Sequence, residues 1–190
     1  MNLANKLTLV RIVLIPFFLA VFYIGPLNRE TVTLLGGTMP LAYPIGLVIF
    51  LAAAVTDFFD GHIARKYNMI TDFGKFMDPL ADKLLVTAAL LVFVERGQLA
   101  AWIVFVILAR EFMVTGFRTI AASKGIVMAA GWSGKIKTVC QFAMIAVLLL
   151  GNYPFATVGF PLDQILIWLA TFFTILSGTE YLWKNIHVLK

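Results

Sequence analysis

Charge is scarce in this sequence: Asp, Glu, Lys and Arg make up 13% of its 190 residues, against 61% hydrophobic. A soluble domain of this length has a high surface-to-volume ratio and needs far more polar surface. An aqueous globular fold is therefore excluded, and the bilayer is the solvent that fits. Cysteine is limited to Cys140, so no intrachain disulfide can form and the sulfur lacks partners for a zinc site. With His62 and His187 as the only histidines, imidazole-based metal chemistry has little to work with. Low-complexity tracts and internal repeats are absent. The N-terminal apolar segment is long, holds Arg11 and lacks a small-residue cleavage site. It is unlike a removed signal peptide and is expected to stay in the membrane.

What remains is long apolar runs. A membrane span takes about 20 mostly apolar residues, which leaves room for six with short connections and predicts one domain over residues 1–190. The first span is expected from about Thr8 to Ile24, broken by Gly25-Pro26 and followed by a loop through Pro40. The second begins near Leu41 and runs into a charged stretch, Asp57 to Lys75; the third covers about Phe76 to Val94. After a tight turn at Glu95-Arg96-Gly97, the fourth covers Leu99 to Thr119, the fifth Ser133 to Gly151 and the sixth Leu162 to Leu182. With the N-terminus inside, thirteen of the fifteen Lys and Arg fall on one side, and only Arg29 and Arg96 on the other. The positive-inside rule then puts both termini and the charged stretch in the cytoplasm. A net charge of +5 suits anionic headgroups and phosphorylated substrates, and needs no nucleic acid to explain it.

Five of the ten acidic residues fall between Asp57 and Asp82. Asp57 and Asp60 are three apart, and Asp78 and Asp82 four apart, so on helices each pair shares a face. Two helix ends offering four carboxylates can surround one or two hard cations, Mg²⁺ or Mn²⁺, with phosphates completing the ligand set. Gly61 removes a side chain beside Asp60, and Gly74 lies near the face of Asp78 and Asp82, where it lets the helices approach. Arg65, four residues after Gly61, can pair with a phosphate there. The plainer alternative is a solvated loop whose charges only orient the helices. Asp72 lies outside both pairs and reads as a loop or capping residue.

The run Asp57-Phe58-Phe59-Asp60-Gly61-His62-Ile63-Ala64-Arg65, then eight residues, then Gly74-Lys75-Phe76-Met77-Asp78-Pro79-Leu80-Ala81-Asp82, resembles the CDP-alcohol phosphotransferase signature, D-x2-D-G-x2-A-R-x8-G-x3-D-x3-D. No position departs from it. The resemblance implies an all-α integral membrane protein of about six transmembrane helices, with a polar active-site cavity on the cytoplasmic side of a bacterial membrane. It implies that Asp57, Asp60 and Asp78 ligate two metal ions, and that Asp82 adds a ligand and acts as general base. It further assigns Gly61, Ala64, Arg65, Thr71 and Gly74, with Asn5 and Thr8 from the N-terminal segment, to the CDP-lipid. For Asn5 and Thr8 the competing reading is helix capping or interfacial placement. A homodimer is also implied.

The signature leaves the acceptor alcohol open. Arg110 and Arg118 are eight apart, close to one helical face, and Lys135 and Lys137 open the next span. Together they could hold an acceptor that carries its own phosphate; singly, each reads more readily as an ordinary cytoplasmic-side charge. The segments Ala109-Arg110-Glu111-Phe112, Gly134-Lys135-Ile136-Lys137-Thr138 and Asn5-Lys6-Leu7-Thr8-Leu9-Val10-Arg11 resemble the bacterial branch of the family. That branch implies CDP-diacylglycerol as donor and sn-glycerol 3-phosphate as acceptor. Inositol phosphate, serine and phosphatidylglycerol are the alternatives. A cation transporter would explain the acids, but not the Gly61, Ala64 and Arg65 pattern. Trp102, Trp132, Trp168 and Trp183, near span ends, read as interfacial anchors, Cys140 as packing and His62 as surface-facing.

Overall fold

A computed structural model describes residues 3–66, 72–125 and 131–185, with side chains described for 8–56, 77, 80, 81, 83–125 and 131–185. The described residues form seven α-helices: α1 (Leu3–Tyr23), α2 (Gly25–Arg29), α3 (Ala42–Lys66), α4 (Asp72–Glu95), α5 (Ala101–Ser123), α6 (Trp132–Leu149) and α7 (Leu162–Asn185). A two-stranded hairpin, β1 (Thr31–Leu34) and β2 (Gly37–Pro40), and a 3-10 turn at Phe155–Val158 complete the set. The six long helices coincide with the six expected spans. The second span continues as one helix through the charged run to Lys66.

Helix α1 shows how the sequence chooses its faces. Thr8, Arg11, Ile15, Phe18 and Phe22 recur at three- and four-residue spacing and are buried against α3 and α4. Val10, Val13 and Phe17 on the other side are half exposed, so the helix is apolar outside as well as in. Helix α7 goes further. Its buried face is Ile167, Ala170, Thr171, Thr174, Ser177, Gly178 and Tyr181, while Trp168, Leu169, Phe172, Ile175 and Leu176 are exposed. Small and hydroxyl-bearing residues inside with large apolar ones outside is the pattern of helices packed in lipid. The buried hydroxyls of Thr171 and Thr174 donate to the carbonyls of Ile167 and Ala170, at 2.7 and 2.6 Å, which satisfies them without water. Two described helices, α6 and α7, are long and apolar enough to cross a membrane by themselves; Thr8–Tyr23 and Ala42–Thr56 are shorter apolar helices.

The core runs through the middle of the bundle. Phe18 and Phe22 stack with ring centroids 5.2 Å apart, Phe22 meets Tyr43 at 5.7 Å, and Phe50 meets Phe142 at 5.4 Å. Cys140 packs against this core as a partly buried side chain. Trp102, Trp132, Trp168 and Trp183 are all exposed.

Residues 25–40, expected as a plain loop, instead hold α2 and the hairpin. Register runs from Thr31 opposite Pro40 to Leu34 opposite Gly37, leaving a two-residue turn of Leu35 (φ 52°) and Gly36 (φ 83°). The β-branched run Thr31-Val32-Thr33 followed by Gly36-Gly37 is the signal for it. At Gly37 the ring of Tyr153 comes so close that a Cβ would stand 2.0 Å from it. At the same end of the bundle, the Tyr23 hydroxyl donates to Glu95 at 2.6 Å. Arg96 donates to the Phe22 carbonyl and Asn28 at 2.6 and 2.7 Å. These bonds fasten the loops together and leave the opposite end, where α3 ends and α4 begins, for the polar residues.

Candidate active site

Helix α3 carries Asp57, Asp60, Gly61, Ala64 and Arg65, and α4 carries Gly74, Asp78 and Asp82. The backbone is helical over both acidic pairs, so their spacing does put each pair on one face. The side chains of these residues, together with those of Asn5, His62 and Asp72, lie outside the described residues, as does Thr71 entirely. Carboxylates are hard oxygen donors, so the four carried by these two helices would suit Mg²⁺ or Mn²⁺ better than a softer metal. Helix α1 packs against both acid-bearing helices, with Thr8 and Arg11 on its buried face. Thr8 is thus enclosed in the bundle, not set out at the interface.

Arg110, Arg118, Lys135 and Lys137 line a single cavity of about 600 Å³ between α4, α5, α6 and α7. Helix α5 contributes Arg110 at its middle and Arg118 two turns on, and the first turns of α6 contribute the two lysines. Glu111 organises them. Its Oε1 accepts from Arg110 Nη1 at 3.2 Å and from Lys137 Nζ. Arg110 Nε donates to Ser177 Oγ on α7 at 3.1 Å, so α5 and α7 together hold the guanidinium, and Lys137 ties α6 to them through Glu111. Next to Ser177, Gly178 leaves the room: a Cβ there would stand 3.2 Å from Arg110 Cγ.

Several lining residues escaped the sequence reading. Lys83 follows Asp82 directly, points to the cavity and donates to Thr115 Oγ1. On the far wall Glu180 accepts from Ser133 and from Lys184. Position next to an acidic motif residue was the available signal for Lys83. For Ser177 it was the small polar run Ser177-Gly178-Thr179-Glu180 inside an otherwise apolar helix.

Within the described cavity, six cations face two carboxylates: Lys83, Arg110, Arg118, Lys135, Lys137 and Lys184 against Glu111 and Glu180. That excess meets α4 at Lys83, the residue after Asp82, so an anion drawn into it lies beside that helix. A family model for CDP-alcohol phosphatidyltransferases matches residues 1–176. The chain belongs to the CDP-alcohol phosphatidyltransferase family. It is 47% identical over 189 residues to the CDP-diacylglycerol–glycerol-3-phosphate 3-phosphatidyltransferase of Bacillus subtilis (strain 168), covering 100% of this chain and 97% of that one. It is 38% identical over 181 residues to the enzyme of the same name from Rickettsia bellii (strain RML369-C), covering 95% and 93%. It is also 37% identical over 183 residues to a probable phosphatidylglycerophosphate synthase of Mycobacterium tuberculosis (strain ATCC 25618 / H37Rv), covering 95% and 79%. As a CDP-alcohol phosphatidyltransferase the protein is a membrane-associated enzyme, and its apolar outward faces are those of a protein in lipid.

Proposed function

We propose that this enzyme transfers the phosphatidyl group of CDP-diacylglycerol to sn-glycerol 3-phosphate, giving phosphatidylglycerophosphate and CMP. The observation that carries the choice of acceptor is the convergence of Arg110, Arg118, Lys135 and Lys137 on one cavity beside α4. An acceptor with its own phosphate requires such a cluster, whereas serine would leave it without a purpose. The names of the Bacillus and Rickettsia relatives support the same donor and acceptor.

In this reading one membrane domain, residues 1–190, spans the bilayer six times as a homodimer in a bacterial cytoplasmic membrane. Both termini and the polar cavity face the cytoplasm. Asp57, Asp60, Asp78 and Asp82 would hold two Mg²⁺ or Mn²⁺ ions, whose contribution is to neutralise charge across the pyrophosphate and on departing CMP. Asn5, Thr8, Gly61, Ala64, Arg65, Thr71 and Gly74 cradle the CDP-lipid. The four basic residues fix the acceptor phosphate and so aim the far hydroxyl at the donor. Asp82 takes the proton from that hydroxyl as its oxygen bonds to the lipid-bearing phosphorus and the bond to CMP breaks.

The test is a product assay on purified protein with labelled sn-glycerol 3-phosphate, CDP-diacylglycerol and Mg²⁺. Labelled phosphatidylglycerophosphate is expected, with loss in EDTA and in Asp82→Ala. CMP release that ignores glycerol 3-phosphate would remove this acceptor; full activity in Asp82→Ala would remove the role given to the carboxylate.

A further inference from the structure

We propose that Glu111 and Gln141 read the secondary hydroxyl of the acceptor, so that a small chamber between α4, α5 and α6 selects a short polyol phosphate. This rests on the acceptor assignment above and adds to it the part of the molecule beyond the phosphate. The chamber, of about 70 Å³, shares Lys83, Glu111, Lys137 and Thr138 with the large cavity and ends against Gln141. The two cavities therefore adjoin, with Glu111 and Lys137 in the wall they share.

Two groups in it have hydrogen-bonding capacity to spare. Gln141 is 3% exposed, and its Nε2 is buried without a hydrogen-bond partner among the described residues. Folded proteins keep such a group where something polar comes to stand opposite it. Glu111 commits Oε1 to Arg110 and Lys137, while Oε2 makes no hydrogen bond among the described residues. Glu180, the other carboxylate of the large cavity, uses both oxygens. Glu111 and Gln141 both line the chamber, and a carboxylate oxygen with an amide N–H is the complement of an alcohol, which donates to the first and accepts from the second. The neighbouring cations place that alcohol next to a phosphate. Size adds a limit. At about 70 Å³ against about 600 Å³ for the large cavity, the chamber suits a hydroxyl-bearing carbon better than a ring of hydroxyls.

The experiment compares sn-glycerol 3-phosphate with 3-hydroxypropyl phosphate, which keeps the phosphate and the attacking primary hydroxyl and lacks only the secondary one. The wild-type enzyme is expected to prefer glycerol 3-phosphate by roughly 10- to 100-fold in kcat/KM. Gln141→Met, similar in length and volume, should bring the two acceptors to within about 3-fold by lowering the glycerol 3-phosphate value alone. Glu111→Gln should weaken both, since it loosens Arg110 and Lys137, yet also narrow their ratio; it carries the test if Gln141→Met does not fold. Equal use of the two acceptors by the wild type, or an undiminished preference in the folded variants, overturns the proposal. Absence of any glycerol 3-phosphate-dependent CMP release in the wild type would instead strike the acceptor assignment itself, before a variant is made.

Discussion

Arg118 offers a clean perturbation of the acceptor site. Its side chain is exposed to the cavity two turns beyond Arg110 on α5, so truncation to alanine removes little packing. Its proposed work is a charge-assisted hydrogen bond to the acceptor phosphate, worth about 1.5–3 kcal/mol. At 1.36 kcal/mol per factor of ten, Arg118→Ala should lower kcat/KM for glycerol 3-phosphate roughly 10- to 150-fold. The KM for CDP-diacylglycerol should stay within about twofold, because that substrate is bound through the signature helices. Arg118→Lys keeps the charge without the planar fork and should lose roughly 3- to 10-fold. Lys124, at the end of α5 and outside the cavity, provides the control: Lys124→Ala should be indistinguishable from wild type. Initial rates of CMP release in detergent–lipid micelles, with each substrate varied in turn, measure all four proteins. Equal kinetics for Arg118→Ala and Lys124→Ala, or a loss shared evenly by both substrates, would refute the reasoning.

Three further outcomes follow from other contacts. Ser177→Ala leaves Arg110 Nε without its 3.1 Å acceptor and should raise the KM for glycerol 3-phosphate about 2- to 10-fold, the range for one ordinary hydrogen bond. Lys137→Met strips Glu111 of a buried partner and should lower both the melting temperature and the acceptor kcat/KM, with the thermal shift separating it from Arg118→Ala. Gly37→Ala drives a methyl into the Tyr153 ring and should cost about 1–3 kcal/mol of stability, seen as a lower melting temperature with kinetics at low temperature unchanged. The double variant with Tyr153→Ala should then be no less stable than Tyr153→Ala alone.

Most of the architecture was legible because lipid imposes it. A span must be long, apolar and helical, and the six runs expected on that ground fall on six long helices, with breaks at Gly25-Pro26, Gly97 and Gly151 close to the ends of α1, α4 and α6. The hairpin was not legible as such. Thr31 to Pro40 is too short for its alternation to stand out, and its place depends on Tyr153, more than a hundred residues away. The basic cluster could be anticipated from helical spacing on α5 and from neighbouring positions on α6. What spacing could not give is the third wall, since Ser177 and Glu180 reach the cavity only through the packing of α7 against α5 and α6. Glu111 was visible as a neighbour of Arg110, but its bond to Lys137 crosses between helices and has no local signature.

Helix α7 has a consequence for handling the protein. With Trp168, Phe172 and Leu176 turned outward and Thr171, Thr174 and Ser177 turned inward, oiliness rises from its centre to its rim. Water would reward this helix for rotating about its axis and undoing the wall that carries Ser177. Any medium used to extract the enzyme must therefore supply a continuous hydrocarbon collar, and a detergent that leaves gaps along this helix should cost acceptor binding before it costs helical content.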